Sequence, residues 1–284
     1  MISIISQGTL LLNALDLLLS YHLTLLQWIL ALIAAICLGL SKTGFLGVSL
    51  LGIALMAEVW PPRESTGIIL PMLVVGDIFA VTFFTHHAIR SEVIRVLPPA
   101  IGGVIIGYFC FRALPVAIFG PMIGWIILIL LILQIWYRAS SKPGSADSPD
   151  DADAAARRAF LLLPVPIRSA LTYLLGALAG LTTMLANASG PVMTVYLLAA
   201  GLAKYEFVGT SAWIFCLLNL SKLPLSYSLG VINLHSLGFN LLMLPAIALG
   251  AIAGKSLLRV VPQLWFERLL VLSAFIAVIK LIWR

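Results

Sequence analysis

Apolar runs dominate the chain, and polar residues appear mainly as short interruptions between them. Ten candidate segments are bounded by charged residues, Pro or clusters of Gly. They span residues 24–40, 46–60, 65–85, 96–114, 117–137, 168–186, 191–202, 207–230, 236–254 and 266–283. All are expected to be α-helical, because the open edge of a sheet leaves backbone polar groups without partners in lipid.

A single clearly hydrophilic stretch, rich in Ser, Ala, Pro and Asp, separates the fifth segment from the sixth. This composition is typical of a solvated linker. The pattern therefore predicts an N-terminal membrane repeat (1–137), a linker (138–167) and a C-terminal membrane repeat (168–284).

Composition supports the same class of protein. Hydrophobic residues make up 62% of the chain, charged residues 10%, and the mean hydropathy is +1.11. A soluble domain has roughly 25% charged residues, so this chain is expected to be an all-α polytopic membrane protein with the lipid bilayer as its surroundings. Its basic residues form no stripe, so no nucleic-acid partner is expected.

The basic residues also orient the chain. If the ten segments alternate sides, eleven Lys and Arg residues fall on one side and four on the other. The larger group is Arg90, Arg95, Arg138, Lys142, Arg157, Arg158, Arg168, Lys204, Lys255, Arg259 and Arg268, and the smaller is Arg63, Arg112, Lys280 and Arg284. Because the richer side is normally cytoplasmic, we expect a multi-pass protein of the cell (inner) membrane with a cytoplasmic linker.

The two halves resemble each other in sequence. At a shift of 142 residues, Gly67 falls on Gly209 and Asp77 on Asn219; at a shift of 147, the matches are Pro98, Gly103 and Gly107 with Pro245, Gly250 and Gly254. Each half has five segments, an odd number, so the copies are expected to enter the membrane from opposite faces. Inverted repeats of this kind are typical of secondary transporters, which bind substrate near the midplane.

The second segment of each half is short for a bilayer and follows a break rich in Gly and polar residues. Each is expected to form a hairpin with the segment before it. The candidate substrate-binding residues at these breaks are Lys42, Thr43, Gly44, Asn187, Ser189 and Gly190. Either Thr43 or Gly44 is expected to open one helix, and Ser189 or Gly190 to cap the other, so that free N–H groups face an anion. The alternative is that these glycines only allow close helix packing.

Polar residues inside the spans extend this candidate site. Lys222, Asn219, Thr210 and Trp213 are assigned to substrate binding, and Asp77 to proton coupling. Ionisable groups within a membrane are costly and need a reason. The alternatives are that Asp77 forms a structural ion pair with Lys42, and that Lys222 extends its ammonium group to the outer interface.

Two stretches resemble a known family. Residues 39–47 (GLSKTGFLG) with 60–67 (WPPRESTG), and more closely residues 181–225, resemble the TauE/SafE sulfite-exporter family of anion transporters. The resemblance implies a multi-pass carrier of duplicated halves that moves sulfite, sulfonates or related sulfur anions, driven by the proton-motive force. Many members have three glycines at the first break; this chain has Ser41-Lys42-Thr43-Gly44, which leaves the substrate open.

The resulting prediction is a proton-coupled secondary transporter of a small sulfur-containing anion that works by alternating access. It is not expected to be an enzyme or to hold a cofactor or metal, because no nucleotide-binding or metalloprotease motif is present. One alternative is a passive anion channel with the same basic site. A second is a membrane-embedded enzyme with His86 and His87 as metal ligands.

Overall fold

The computed structural model describes residues 21–43, 47–140, 164–200 and 202–260. Within these ranges the chain forms nine α-helices and two 3₁₀ turns, with no strand. The helices are α1 (Leu25–Lys42), α2 (Val48–Val59), α3 (Pro62–Phe84), α4 (Arg90–Ala113), α5 (Phe119–Ser140), α6 (Val165–Ala186), α7 (Gly190–Ala199), α8 (Lys204–Ser228) and α9 (Leu234–Val260). The turns are Thr85–His87 and Val116–Ile118.

Each of the first nine predicted segments corresponds to one helix, with ends that differ by a few residues. The tenth, 266–283, lies outside the described residues, as do 141–163 of the predicted linker. Six helical stretches are long and apolar enough to cross a membrane, and large apolar side chains such as Leu25, Ile94 and Leu241 are exposed on them. The protein is therefore a multi-pass membrane protein.

The second helix of each half is short. Helix α2 has 12 residues and α7 has 10, so at 1.5 Å per residue they extend about 18 and 15 Å. A bilayer core is roughly 30 Å thick. Helix α2 packs against α1, and α7 packs against α6, as the hairpin prediction requires.

Glycines bring two pairs of helices into close contact. A Cβ added to Gly39 on α1 would fall on the carbonyl group of Ile247 on α9, and one added to Gly250 would fall on that of Ile36. In the second pair, Gly103 on α4 and Gly180 on α6 face the carbonyl groups of Ala177 and Ala100 in the same way. Small residues allow such backbone contact, which dispersion forces then stabilise.

Helices α3 and α8 pack antiparallel in the interior. Gly67, near the start of α3, faces the backbone of Val231 beyond the end of α8. Gly209, near the start of α8, faces the backbone after α3 at Phe84 and Ala88. Each helix carries polar residues near its middle, Asp77 on α3 and Asn219 on α8. The antiparallel pairing places these residues opposite each other.

The helices end on two opposite sides of the structure. On one side, which we call end A, Lys255 Nζ lies 4.1 Å from the centre of the Phe83 ring, and the rings of His87 and Tyr205 are 5.4 Å apart. On the opposite side, which we call end B, the Arg63 guanidinium lies 5.5 Å from the centre of the Phe111 ring. Helix α3 runs from end B to end A, whereas α8 runs from end A to end B.

Candidate functional site

The break between α6 and α7 is a sharp turn held by its own backbone. Asn187 ends α6 with φ 55°, a left-handed conformation that Asn adopts more readily than most residues. Its N–H donates to the Thr183 carbonyl (2.9 Å) and that of Ala188 to Thr182 (3.4 Å). The next helix follows at once, because the Ser189 carbonyl accepts from Met193 N at 2.9 Å. Ser189 is therefore the N-cap of α7, as predicted.

The first break differs from the prediction. Thr43 closes α1, with its N–H donating to the Leu40 carbonyl at 3.3 Å, and α2 begins at Val48. Thr43 therefore does not open α2, because its backbone and its hydroxyl both bond back to α1. Gly44, the other residue predicted to open α2, lies outside the described residues.

Two charged groups meet in the protein interior beside the first break. Lys42 Nζ, at the end of α1, lies 2.8 Å from Asp77 Oδ1, in the middle of α3. Their side chains are 7% and 0% exposed. The two groups form a buried ion pair. The same ammonium lies 4.7 Å from the centre of the Phe215 ring on α8, a favourable cation–π distance.

A second lysine is buried by the other half. Lys222 on α8 is 1% exposed, so its ammonium does not reach the interface. It donates hydrogen bonds to Thr183 Oγ1 (3.0 Å), Asn187 Oδ1 (2.6 Å) and Asn219 Oδ1 (3.3 Å). These three acceptors are neutral, so they satisfy the donors of the ammonium without cancelling its charge.

The two asparagines connect the lysines into one network. Asn219 Nδ2 donates to Asp77 Oδ2 at 2.6 Å, and Asn187 Nδ2 donates to the Thr66 carbonyl at 2.8 Å. Because both amide oxygens accept from Lys222, the orientation of each amide is fixed. The network thus joins α1, α3, α6 and α8, with contributions from both halves of the chain.

A small cavity lies beside this network. Its volume is about 20 Å³, which is enough to hold one or two water molecules. Five predicted binding residues line it: Lys42, Asn187, Ser189, Gly190 and Asn219. The start of α7 faces this space, and a helix N-terminus has free N–H groups and a partial positive charge. The arrangement can hold a small anion once the space widens.

Helix α7 is anchored at its other end. Tyr196, which is 1% exposed, donates its hydroxyl hydrogen bond to Glu92 Oε2 on α4 at 2.6 Å. Glu92 also pairs with Arg95, whose Nη1 lies 2.6 Å from Glu92 Oε1. The helix that presents its N-terminus to the cavity is therefore tied to α4 near end A.

Four predicted binding residues that the structure describes do not line the cavity: Thr43, Lys222, Thr210 and Trp213. The last two make their contacts elsewhere. Thr210 Oγ1 accepts from Ile89 N at 2.9 Å, and Trp213 Nε1 donates to Thr85 Oγ1 at 3.1 Å. Both contacts join the start of α8 to the chain after α3, near end A. Neither residue lines the cavity, because both point away from the face of α8 that carries Asn219.

Residues that were not predicted complete the lining. They are Ser41, Ser49, Leu73, Thr183 and Phe215. Helical spacing could have predicted Phe215, because Phe215, Asn219 and Lys222 lie at i, i+4 and i+7 and therefore share one face of the helix. Thr183 lies in the last turn of α6, and its contact with Lys222 depends on how α6 and α8 pack.

His86 and His87 lie in the 3₁₀ turn after α3, and both side chains are exposed. Among the described residues, no three His, Cys, Asp or Glu side chains come together in a way that suits a metal ion. Within that part of the chain, the pair has none of the additional ligands that a zinc site uses.

Comparison with protein families gives one match. The model described as sulfite exporter TauE/SafE matches residues 27–281, nearly the whole chain and both halves of the network. Searches of curated proteins and of solved structures gave no match. The family match includes both helix breaks and every residue of the buried network.

Proposed function

Because the chain belongs to the sulfite exporter TauE/SafE family of transporters, we propose that it is a proton-coupled secondary transporter of a small sulfur-containing oxyanion. The observation that carries this proposal is the buried network at the helix break. Lys42, two oriented amides and the N-terminus of α7 line one cavity, and the Lys222 ammonium donates to the oxygens of those two amides. Buried charges are costly in a membrane protein and occur mainly on substrate and ion pathways.

The pattern of glycine contacts supports inverted repeats. The positions paired by the sequence duplication, Gly103 and Gly250, each face a backbone carbonyl of the first helix of the opposite half. The duplication also aligns Gly67 with Gly209, and the helices that carry them run in opposite directions between end A and end B. Two copies inserted in opposite orientations account for both facts, and their rocking about a shared site gives alternating access.

Proton coupling follows from competition for Lys42. While Asp77 is ionised, its carboxylate holds the ammonium at 2.8 Å. When Asp77 takes up a proton, this attraction is lost, and the ammonium turns to an anion in the cavity. Proton binding and anion binding at the same site therefore favour each other, which is the requirement for coupled transport.

The cavity of about 20 Å³ is too small for an oxyanion with four or more heavy atoms. Binding therefore requires the break at Asn187 and Ser189 to move away from α1 and α3. End A, which carries Arg90, Arg95 and Lys255, is proposed to face the cytoplasm under the positive-inside rule.

Flux measurements in proteoliposomes test this function. Uptake of sulfite, sulfate, thiosulfate and short organosulfonates is measured with and without an imposed pH gradient. At least one of these anions is expected to accumulate when the gradient is imposed and to show counterflow when the liposomes are preloaded. A control protein with Lys42→Ala and Lys222→Gln should give only the flux of empty liposomes.

Other outcomes assign a different function. Flux that does not saturate and shows no counterflow identifies a passive channel. The absence of flux for every anion in the panel contradicts the proposal. Bound metal that is lost on His86→Ala points instead to a membrane-embedded enzyme.

A further inference from the structure

The buried charges of the site do not balance. Among the described residues, the charged side chains buried to nine-tenths or more are Lys42, Asp77 and Lys222. With all three ionised, the interior carries two positive charges and one negative charge. The site therefore holds one net positive charge in a medium that solvates charge poorly.

The unbalanced charge is that of Lys222. Lys42 is matched by Asp77 at 2.8 Å, whereas Lys222 contacts the oxygens of Thr183, Asn187 and Asn219. Asn219 stands where the first repeat has Asp77, so the second half carries an amide in place of the matching carboxylate. An uncompensated buried charge costs several kcal/mol, and this cost is removed when a single negative charge enters.

We infer that each transport cycle carries one net negative charge, so that a monovalent oxyanion binds with Asp77 ionised and a divalent oxyanion binds only with Asp77 protonated. This inference rests on the proposed function and adds the charge class of the substrate. A sulfonate then moves without a proton, and a divalent oxyanion moves with one.

The proton has a defined route. In the divalent case, the Asp77 carboxylate takes one proton from the side where the anion enters and gives it up on the other side. Lys222 donates to three oxygens, the full number that an ammonium offers, so the proton transfer is assigned to Asp77 and not to either lysine. No covalent bond to the anion forms or breaks, and the anion with its proton carries the same net charge as a monovalent anion.

The surroundings of Asp77 identify it as the group that takes up the proton. Lys42 from α1, and Lys222 and Cys216 from α8, are the titratable groups that interact with it. Of the other helices packed on α3, α2 carries Glu58 in its last turn, and α9 carries Lys255 over Phe83 at end A. Neither lies in the middle of α3 beside Asp77.

The experiment uses two oxyanions whose charge is constant near neutral pH. Methanesulfonate is monovalent and sulfate is divalent. Uptake of each into proteoliposomes is measured while a potassium diffusion potential and a pH gradient are imposed independently. With the wild-type protein, methanesulfonate uptake is expected to respond to voltage alone. Sulfate uptake is expected to respond to voltage equally and to be driven by the pH gradient as well.

Two variants change the charge of the site. Asp77→Asn fixes it at two positive charges, so sulfate uptake should lose its response to the pH gradient, and the affinity for sulfate relative to methanesulfonate should rise at least tenfold. Adding Lys222→Gln to Asp77→Asn restores one positive charge while keeping a hydrogen-bond donor and acceptor. Sulfate binding should then weaken, and the ratio of the two affinities should return towards that of the wild-type protein.

Several results overturn the inference and leave the transporter proposal standing. They are methanesulfonate uptake that brings in a proton, and sulfate uptake that moves two charges without one. If neither anion is transported, binding is read from the rise in melting temperature of the detergent-solubilised protein. If both anions stabilise the wild-type protein equally at neutral pH, the charge selection is contradicted. If methanesulfonate alone stabilises it, the charge selection is supported, even without transport of either anion.

Discussion

Gly103 and Gly102 are neighbours on α4 and offer a matched test of the helix packing. A Cβ at Gly103 would fall on the carbonyl oxygen of Ala177, 2.8 Å from its carbonyl carbon and 2.9 Å from Leu181 N. A Cβ at Gly102 meets nothing within 4 Å. Backbone atoms cannot rotate aside as a flexible side chain does, so Gly103→Ala must push α4 and α6 apart.

The magnitude follows from the difference between the two variants. Both replacements gain up to about 1 kcal/mol in helix propensity, which cancels in the comparison. Overpacking then costs Gly103→Ala about 1–3 kcal/mol. At about 2–4 °C per kcal/mol for a large chain, its melting temperature should lie roughly 2–12 °C below that of Gly102→Ala.

The assay is thermal unfolding of the two purified variants in the same detergent, followed by tryptophan fluorescence. Gly250→Ala should behave as Gly103→Ala does, because its Cβ would meet the Ile36 carbonyl in the equivalent contact. Equal melting temperatures for Gly103→Ala and Gly102→Ala would refute the close approach of α4 and α6.

Three further predictions concern single side chains. Lys42→Ala should abolish anion binding in calorimetry while the protein stays folded, because the cavity loses its adjoining ammonium, whereas Lys255→Ala should bind normally; unchanged affinity for Lys42→Ala removes it from the site. Asp77→Asn should retain sulfate exchange but lose its response to a pH gradient, and a persistent response means that another group carries the proton. Thr210→Val leaves the Ile89 N–H without its acceptor, so it should cost about 1–3 kcal/mol of stability at unchanged substrate affinity; a weaker affinity would place Thr210 at the site.

Much of the fold could be predicted, because the backbone of a long apolar segment must bond within itself in lipid and therefore forms a helix. Asp77 and Asn219, which the duplication aligned at equivalent positions 142 residues apart, are hydrogen-bonded to each other, a contact that was not predicted. Lys42, Asn187 and Lys222 were identified because charged and amide groups at helix breaks or within spans require partners.

The rest of the site depended on helix rotation and packing. Trp213 was selected by its distance along α8, but it lies on a different face of α8 from Asn219 and Lys222, a face that Phe215 shares. Thr43 was expected to open α2, yet a hydroxyl that follows a helix bonds as readily to the last turn of that helix. The neutral surroundings of Lys222 arise where α6 and α8 meet, which no local pattern specifies.

The most direct test of a shared anion site between the two halves is a crystal structure with bromomethanesulfonate, a monovalent sulfonate whose bromine gives an anomalous signal. The account predicts one strong peak between Lys42 and the N-terminus of α7, with the cavity widened and the two halves inserted in opposite directions. A peak found only at the surface, or halves that enter the membrane in the same direction, would contradict it.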